Sequence, residues 1–240
     1  MATWITHLRI AENLLNLLPN LDPGLFAVGN IAPDSGIPDE KWENFTPPPW
    51  VTHFGSEGNS NRPLADLEFY RRYLLPLRGK DNPEFVSFRL GYFFHILTDN
   101  MWSSKIGNPT QEKYEEQFAA EKDFIWEVKK DWYGLDFIYV RDHPESLFWR
   151  VFLSTRADTG GLEFLPLEAV RQRVAYIQQD YQRTDDGVQR AYHRPYIYLS
   201  KAEMDAFVEE STSLISRIYQ YLWIDHGTTD NCFSALELRN

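Results

Sequence analysis

The stretch Gly91-Tyr-Phe-Phe-His95-Ile-Leu-Thr-Asp99-Asn-Met-Trp102 constrains this chain more than any other. Read as a helix it is apolar almost all the way round, which marks a buried helix rather than a surface one. Among its few polar residues, the ionisable pair His95 and Asp99 are four apart, and side chains at that spacing stack on one helical face. Burying an imidazole and a carboxylate together is costly unless something compensates. A mutual hydrogen bond is one compensation and a bound cation is the other. The helix taken alone leaves both open.

The rest of the composition narrows the setting. Hydrophobic residues are 43% of the 240 and aromatics 15%, enough for a sizeable core. No apolar run reaches the length of a membrane span. The opening Met-Ala-Thr-Trp-Ile-Thr-His-Leu-Arg lacks the charged-then-apolar layout of a signal peptide. One cysteine, Cys232, excludes an intramolecular disulfide framework and a Cys-rich zinc finger. These features point to a cytoplasmic protein. The net charge of -11, with no long basic cluster, disfavours nucleic acid and anionic membrane as partners and suits a small substrate better.

Along the chain, residues 4–18 read as a first helix with His7, Ala11, Leu14 and Leu18 on one face, capped by Thr3 and stopped at Pro19 followed by Asp22-Pro23-Gly24. His7 taken singly is a core histidine satisfied by a backbone carbonyl. Residues 20–63 are rich in Pro, Gly, Asn and Ser, an irregular segment whose apolar residues, Trp42 among them, argue that it packs. It carries Asp34, singly a turn residue, and His53, singly a surface loop residue. Further helices are expected over 64–77, 83–102, 110–132 with Gly134 as the stop, 144–154 capped by Asp142, 166–182, and from a Ser200/Glu203 capping box to about residue 224. Loops or turns are expected at 155–165 around Gly160-Gly161 and at 184–189, an extended aromatic run over 192–199, and a flexible tail over 230–240. Strand signals are few. The expectation is an all-α single domain spanning 1–240, of roughly seven helices around an internal metal site.

His7, Asp34, His53, His95 and Asp99 together form a set of nitrogen and oxygen donors without sulfur. Such a set suits zinc first, with manganese or iron as alternatives. Five donors exceed the three protein ligands of a mononuclear catalytic zinc, which hints at two ions sharing a carboxylate. Two ions roughly 3.5–4 Å apart can generate hydroxide and clamp a phosphate ester for in-line attack. Asp34 is the candidate general base.

In order, Trp4 with His7, Gly29-Asn-Ile-Ala-Pro-Asp34, Thr52-His53-Phe54 and Gly91-Tyr-Phe-Phe-His95-Ile-Leu-Thr-Asp99-Asn-Met-Trp102 resemble the zinc-dependent phospholipase C family, itself related to zinc-dependent single-strand nucleases. The resemblance covers roughly the first hundred residues. It implies an all-α fold and a metal cluster that hydrolyses phosphate esters. It further implies that Asp34, His53, His95 and Asp99 bind one metal, and that Asp99 bridges to a second metal also bound by His7. Two departures stand out. Met1-Ala-Thr precedes Trp4, where secreted members ligate metal through the amine and carbonyl of an N-terminal Trp. No histidine lies between His95 and His143, where those members place ligands of a third metal; Glu121, Asp123 or Glu127 are the substitutes in reach.

The function expected is therefore metal-dependent hydrolysis of a small phosphate ester, monoester or diester. The alternative from a different class is a non-catalytic binding or scaffold domain built around a structural metal or a buried His–Asp network. A nucleotide phosphohydrolase of the adjacent His-Asp type ranks lower, because no His-Asp dipeptide occurs.

Overall fold

The computed structural model describes residues 1–18, 20–41, 43–58, 63–80, 82–158 and 162–238. The expected stop at Pro19, the packing of Trp42 and the Gly160-Gly161 loop lie outside these residues. The described residues are all-α apart from one two-residue antiparallel ladder, β1 (Ile37–Pro38) with β2 (Phe45–Thr46), and an isolated bridge between Leu162 and Leu165. The helices in chain order are α1 (Trp4–Leu15), α2 (Pro23–Gly29), α3 (Pro49–Thr52), α4 (Asp66–Phe69), α5 (Pro83–Trp102), α6 (Asn108–Lys113), α7 (Glu115–Ala120), α8 (Phe124–Asp142), α9 (Leu147–Arg150), α10 (Leu167–Asp180), α11 (Asp186–His193) and α12 (Lys201–Tyr219). The expected count of roughly seven is too low, because short helical pieces join the long ones. No helix among the described residues is long and apolar enough to cross a membrane.

The expected central helix is α5, with Pro83 in its first turn, where a missing N–H costs nothing. Every residue from Leu90 to Trp102 is buried. Phe93, Phe94, Leu97 and Trp102 belong to one continuous hydrophobic core that runs from Ala2 to Ala235. Helices α1 and α12 pack on it, and the predicted capping box of Ser200 and Glu203 starts α12.

The irregular segment holds more structure than its composition suggests. Asp22, Pro23 and Gly24, read as a stop for α1, instead start α2. The Asp22 side chain accepts from the Leu25 amide and Pro23 sits at the first helical position. Helix α2 crosses α5 at Gly29 and Gly91. A Cβ on Gly29 would lie 2.1 Å from the Phe88 carbonyl oxygen, and one on Gly91 2.3 Å from that of Phe26. Only glycine allows this backbone approach.

Other differences have local causes. Thr3 does not cap α1 with its side chain; its hydroxyl donates to Asp136 Oδ1 at 2.7 Å. Gly134 does not end α8, which continues to Asp142; its missing Cβ admits the Tyr196 ring, whose hydroxyl oxygen lies 2.6 Å from the Cβ position. Asp142 therefore ends a helix instead of capping one, and Ser146 precedes α9. The turn expected over 184–189 contains the start of α11, capped by Asp185. In the C-terminal segment, Ser234 and Ala235 are buried and bond to Asp66.

Candidate metal centre

Four separate elements bring the five predicted residues together. His7 comes from α1, Asp34 from a 3-10 turn after α2, His53 from the end of α3, and His95 and Asp99 from α5. All are buried except Asp34, whose side chain is 13% exposed. His53 is thus a buried residue, not the surface loop residue its local sequence suggests. The Tyr92 hydroxyl of α5 donates to the Thr52 carbonyl at 2.5 Å and anchors the turn that carries it.

Backbone carbonyls favour one tautomer of each histidine. The His95 Nδ1 lies 2.7 Å from the Asn30 carbonyl oxygen, which the glycine crossing of α2 and α5 brings within reach. The His53 Nδ1 lies 3.0 Å from the Pro49 carbonyl oxygen and 3.0 Å from the Thr52 hydroxyl, which can accept from it as well. A carbonyl only accepts, so a proton on Nδ1 satisfies it in both rings, and with that assignment the neutral ring keeps its lone pair on Nε2. Those two Nε2 atoms sit 3.2 Å apart. The carboxylates close in on the same point. His53 Nε2 is 3.2 Å from Asp34 Oδ1 and 3.6 Å from Asp99 Oδ2, and His95 Nε2 is 3.3 Å from Asp99 Oδ2.

This is a convergence of acceptors. Two imidazole lone pairs and two carboxylate oxygens repel one another unless a proton or a cation lies among them. Ligand atoms around a tetrahedral ion with bonds of about 2.0–2.1 Å lie about 3.3–3.4 Å from one another. The observed spacings match that frame. The buried cluster is able to coordinate a metal ion, as two overlapping triads, His7–His95–Asp99 and Asp34–His53–His95.

His7 occupies the other side of Asp99. Its Nε2 is 3.4 Å from Asp99 Oδ1, its ring stacks on that of His95 with centroids 3.8 Å apart, and neither of its nitrogens has a hydrogen-bond partner among the described residues. The two oxygens of Asp99 therefore turn toward different histidines. Oδ1 also accepts the Ala2 amide at 2.8 Å, which fixes the N-terminal segment against the cluster.

The electrostatics follow from the crowding. Burial lowers the His7 pKa to about 4, helped by the charge of His95, so this ring is neutral. Burial also pushes down on His95, but the charge and close contact of Asp99, the charge of Asp34 and the Asn30 carbonyl outweigh it and raise its pKa. Burial alone would raise both carboxylates. Contact with His53 holds Asp34 below the usual range, and the charge of His95 with contacts to His7 and His95 does the same for Asp99. Both carboxylates are ionised at neutral pH.

Several partners of the cluster escaped the sequence reading. The Trp4 indole donates to Asp34 Oδ2 at 2.9 Å, and no local pattern joins residues thirty apart. The carbonyls of Asn30 and Pro49 carry no side-chain signature at all. Conversely, Glu121, Asp123 and Glu127 are exposed and do not reach the cluster; Glu127 pairs with Lys130. His143 bonds the Tyr139 carbonyl at 2.9 Å, a structural use.

Comparison with known proteins gives the geometry no external name. No family model, curated protein or solved structure matches the chain.

Proposed function

We propose that this protein is a metal-dependent hydrolase of phosphate esters, with zinc as the best-suited ion. The observation that carries the proposal is the pair of lone-pair-bearing Nε2 atoms of His53 and His95, 3.2 Å apart and flanked by two ionised carboxylates. A divalent ion bound there supplies Lewis acidity, polarising a phosphoryl oxygen and lowering the pKa of water toward neutrality. Asp34, His53, His95 and Asp99 are its proposed ligands, with His7 and Asp99 Oδ1 available to a second ion.

The remaining chemistry belongs to the chain. A cleft of about 750 Å³ reaches Asp34 and His53, so water and substrate approach from the Asp34 side. Asp34 is ionised, and its Oδ2 keeps a lone pair beyond the one the Trp4 indole uses. It is the proposed proton acceptor for the attacking water. Trp4 orients the carboxylate, while Asn30 and Pro49 orient the two imidazoles, the usual job of groups behind a metal ligand. The resemblance of the first hundred residues to zinc-dependent phospholipase C enzymes supports the same chemistry.

A second reading has its own observation. The raised pKa of His95 allows an imidazolium to sit between Asp99 and Asp34 without any metal, as a buried network in a binding domain. Metal analysis of the untagged protein separates the two. Near-stoichiometric zinc, manganese or iron in wild type, lost in His95→Ala and Asp99→Ala, is expected, together with turnover of phosphomono- or phosphodiester substrates. Wild-type protein that takes up no metal on reconstitution would overturn the hydrolase and leave the network.

A further inference from the structure

The cleft that reaches the cluster has a cationic wall, in a chain of net charge -11. Arg173, from α10, is 8% exposed. Its Nη2 donates to the Gly36 carbonyl at 3.2 Å, two residues past Asp34, and its Nε is buried with no hydrogen-bond partner among the described residues. The guanidinium lies 5.4 Å from the centre of the Trp4 ring, the same indole that donates to Asp34. Arg173 and the proposed base thus meet the same aromatic ring. Among the described residues no carboxylate forms an ion pair with it, and a buried guanidinium with an unfilled donor is costly unless an anion completes it.

Lys129 lines the same cleft from α8. It is half-buried, and its Nζ rests 4.8 Å above the centre of the Trp126 ring. Trp126, Lys129 and Tyr133 are spaced three and four apart, so they share one face of α8. That face meets the cleft with large aromatic surfaces still exposed, 55% for Trp126 and 37% for Tyr133. Exposed aromatic planes next to unpaired cations suit a ligand that is anionic at one end and flat and apolar at the other.

We propose that Arg173 and Lys129 form an oxyanion subsite for the phosphoryl group, and that Trp126 and Tyr133 receive a planar apolar substituent, so that the substrate class is phosphate esters of aryl or similarly flat groups. The inference rests on the hydrolase reading for its catalytic meaning, while its binding content is separable. Arg173 supplies a planar fork that matches two phosphoryl oxygens, and Lys129 adds a mobile point charge. The metal ligands stay free to act on the phosphoryl group from the Asp34 side.

The test is calorimetric binding of phenyl phosphate and methyl phosphate to the full chain, in zinc-loaded and chelator-treated samples, with zinc content measured on each. Phenyl phosphate is expected to bind wild type more tightly than methyl phosphate. Lys129→Met and Arg173→Met should each weaken phenyl phosphate roughly tenfold or more without changing zinc content, with Arg173→Lys falling between. Lys129 makes no hydrogen bond among the described residues, so Lys129→Met remains decisive if Arg173→Met fails to fold. Unchanged phenyl phosphate affinity in Lys129→Met and Arg173→Lys, or no preference over methyl phosphate, would overturn the subsite. If zinc never binds but phenyl phosphate does and the variants lose it, the subsite stands and the hydrolase falls. If zinc binds and esters turn over with the variants unaffected, the reverse holds.

Discussion

Two buried carboxylates meet the last turns of α5, and they live in opposite surroundings. Asp66 is bonded through Asn100. Its Oδ2 accepts from the Asn100 amide at 2.8 Å and from the Ser234 hydroxyl at 2.5 Å, and its Oδ1 accepts the Ala235 amide at 2.7 Å. Asp99, the neighbouring residue of the helix, faces His7, His53 and His95, and its Oδ2 has no hydrogen-bond donor among the described residues. Burial is complete in both places. The balance of donors to acceptors is what differs. A carboxylate surrounded by donors is structural glue, because each of its oxygens is matched by a donor. A carboxylate among imidazole lone pairs is short of positive charge, and that deficit marks the candidate metal centre.

The largest effect expected from this contrast is in metal content. His95→Ala and Asp99→Ala should abolish metal binding in elemental analysis, while Asp66→Asn should retain it fully. Metal lost equally from all three would dissolve the distinction. Next in size, Asp34→Asn removes the proposed proton acceptor while leaving an oxygen for the His53 side. Its kcat should fall by about 10²–10⁴-fold, the usual range for a general base, in a protein whose fold is intact by circular dichroism.

The two carboxylate sites should also respond to pH with opposite sign. Burial raises the Asp66 pKa from 3.8 to about 6 despite its three donors. A raised folded-state pKa means that the folded protein holds this proton more tightly than the unfolded chain. The associated stability is fully present below about pH 4 and is lost as pH rises through about 6, on the order of 3 kcal/mol. Urea unfolding of metal-free wild type and Asp66→Asn across that window should differ in slope accordingly. Asp34 and Asp99 have lowered pKa values, so their contribution is present above about pH 4 and is lost only as pH falls further. The smallest effect concerns the support of the cluster. Gly91→Ala places a methyl group against the Phe26 carbonyl and should cost about 1–3 kcal/mol. It should also weaken metal retention against a chelator, since the same crossing holds the Asn30 carbonyl at His95.

The parts of this protein legible from sequence are those fixed by neighbours in the chain. The extent of α5 follows from Pro83 at one end and a mostly apolar run, because helical period and first-turn chemistry are local. The placement of His95 and Asp99 on one face, the capping box of α12 and the all-α class are of the same kind. Donor type, expected burial and the resemblance of the first hundred residues together pointed to five residues whose ligand atoms the structure groups in two overlapping triads. Helix α2 was hidden because its starting residues also serve as a stop signal for the helix before it.

Tertiary structure decided what distance in sequence conceals. The Ala2 amide meets Asp99 across 97 positions, Trp4 meets Asp34 across 30, and Asn30 meets His95 across 65. Backbone carbonyls that set a tautomer leave no trace in residue identity. Arg173 and Lys129 look like ordinary surface charges until the fold lines one cleft with them. The physical reason is that helix periodicity and capping act within a few residues, whereas a donor–acceptor balance depends on which surfaces the hydrophobic core presses together.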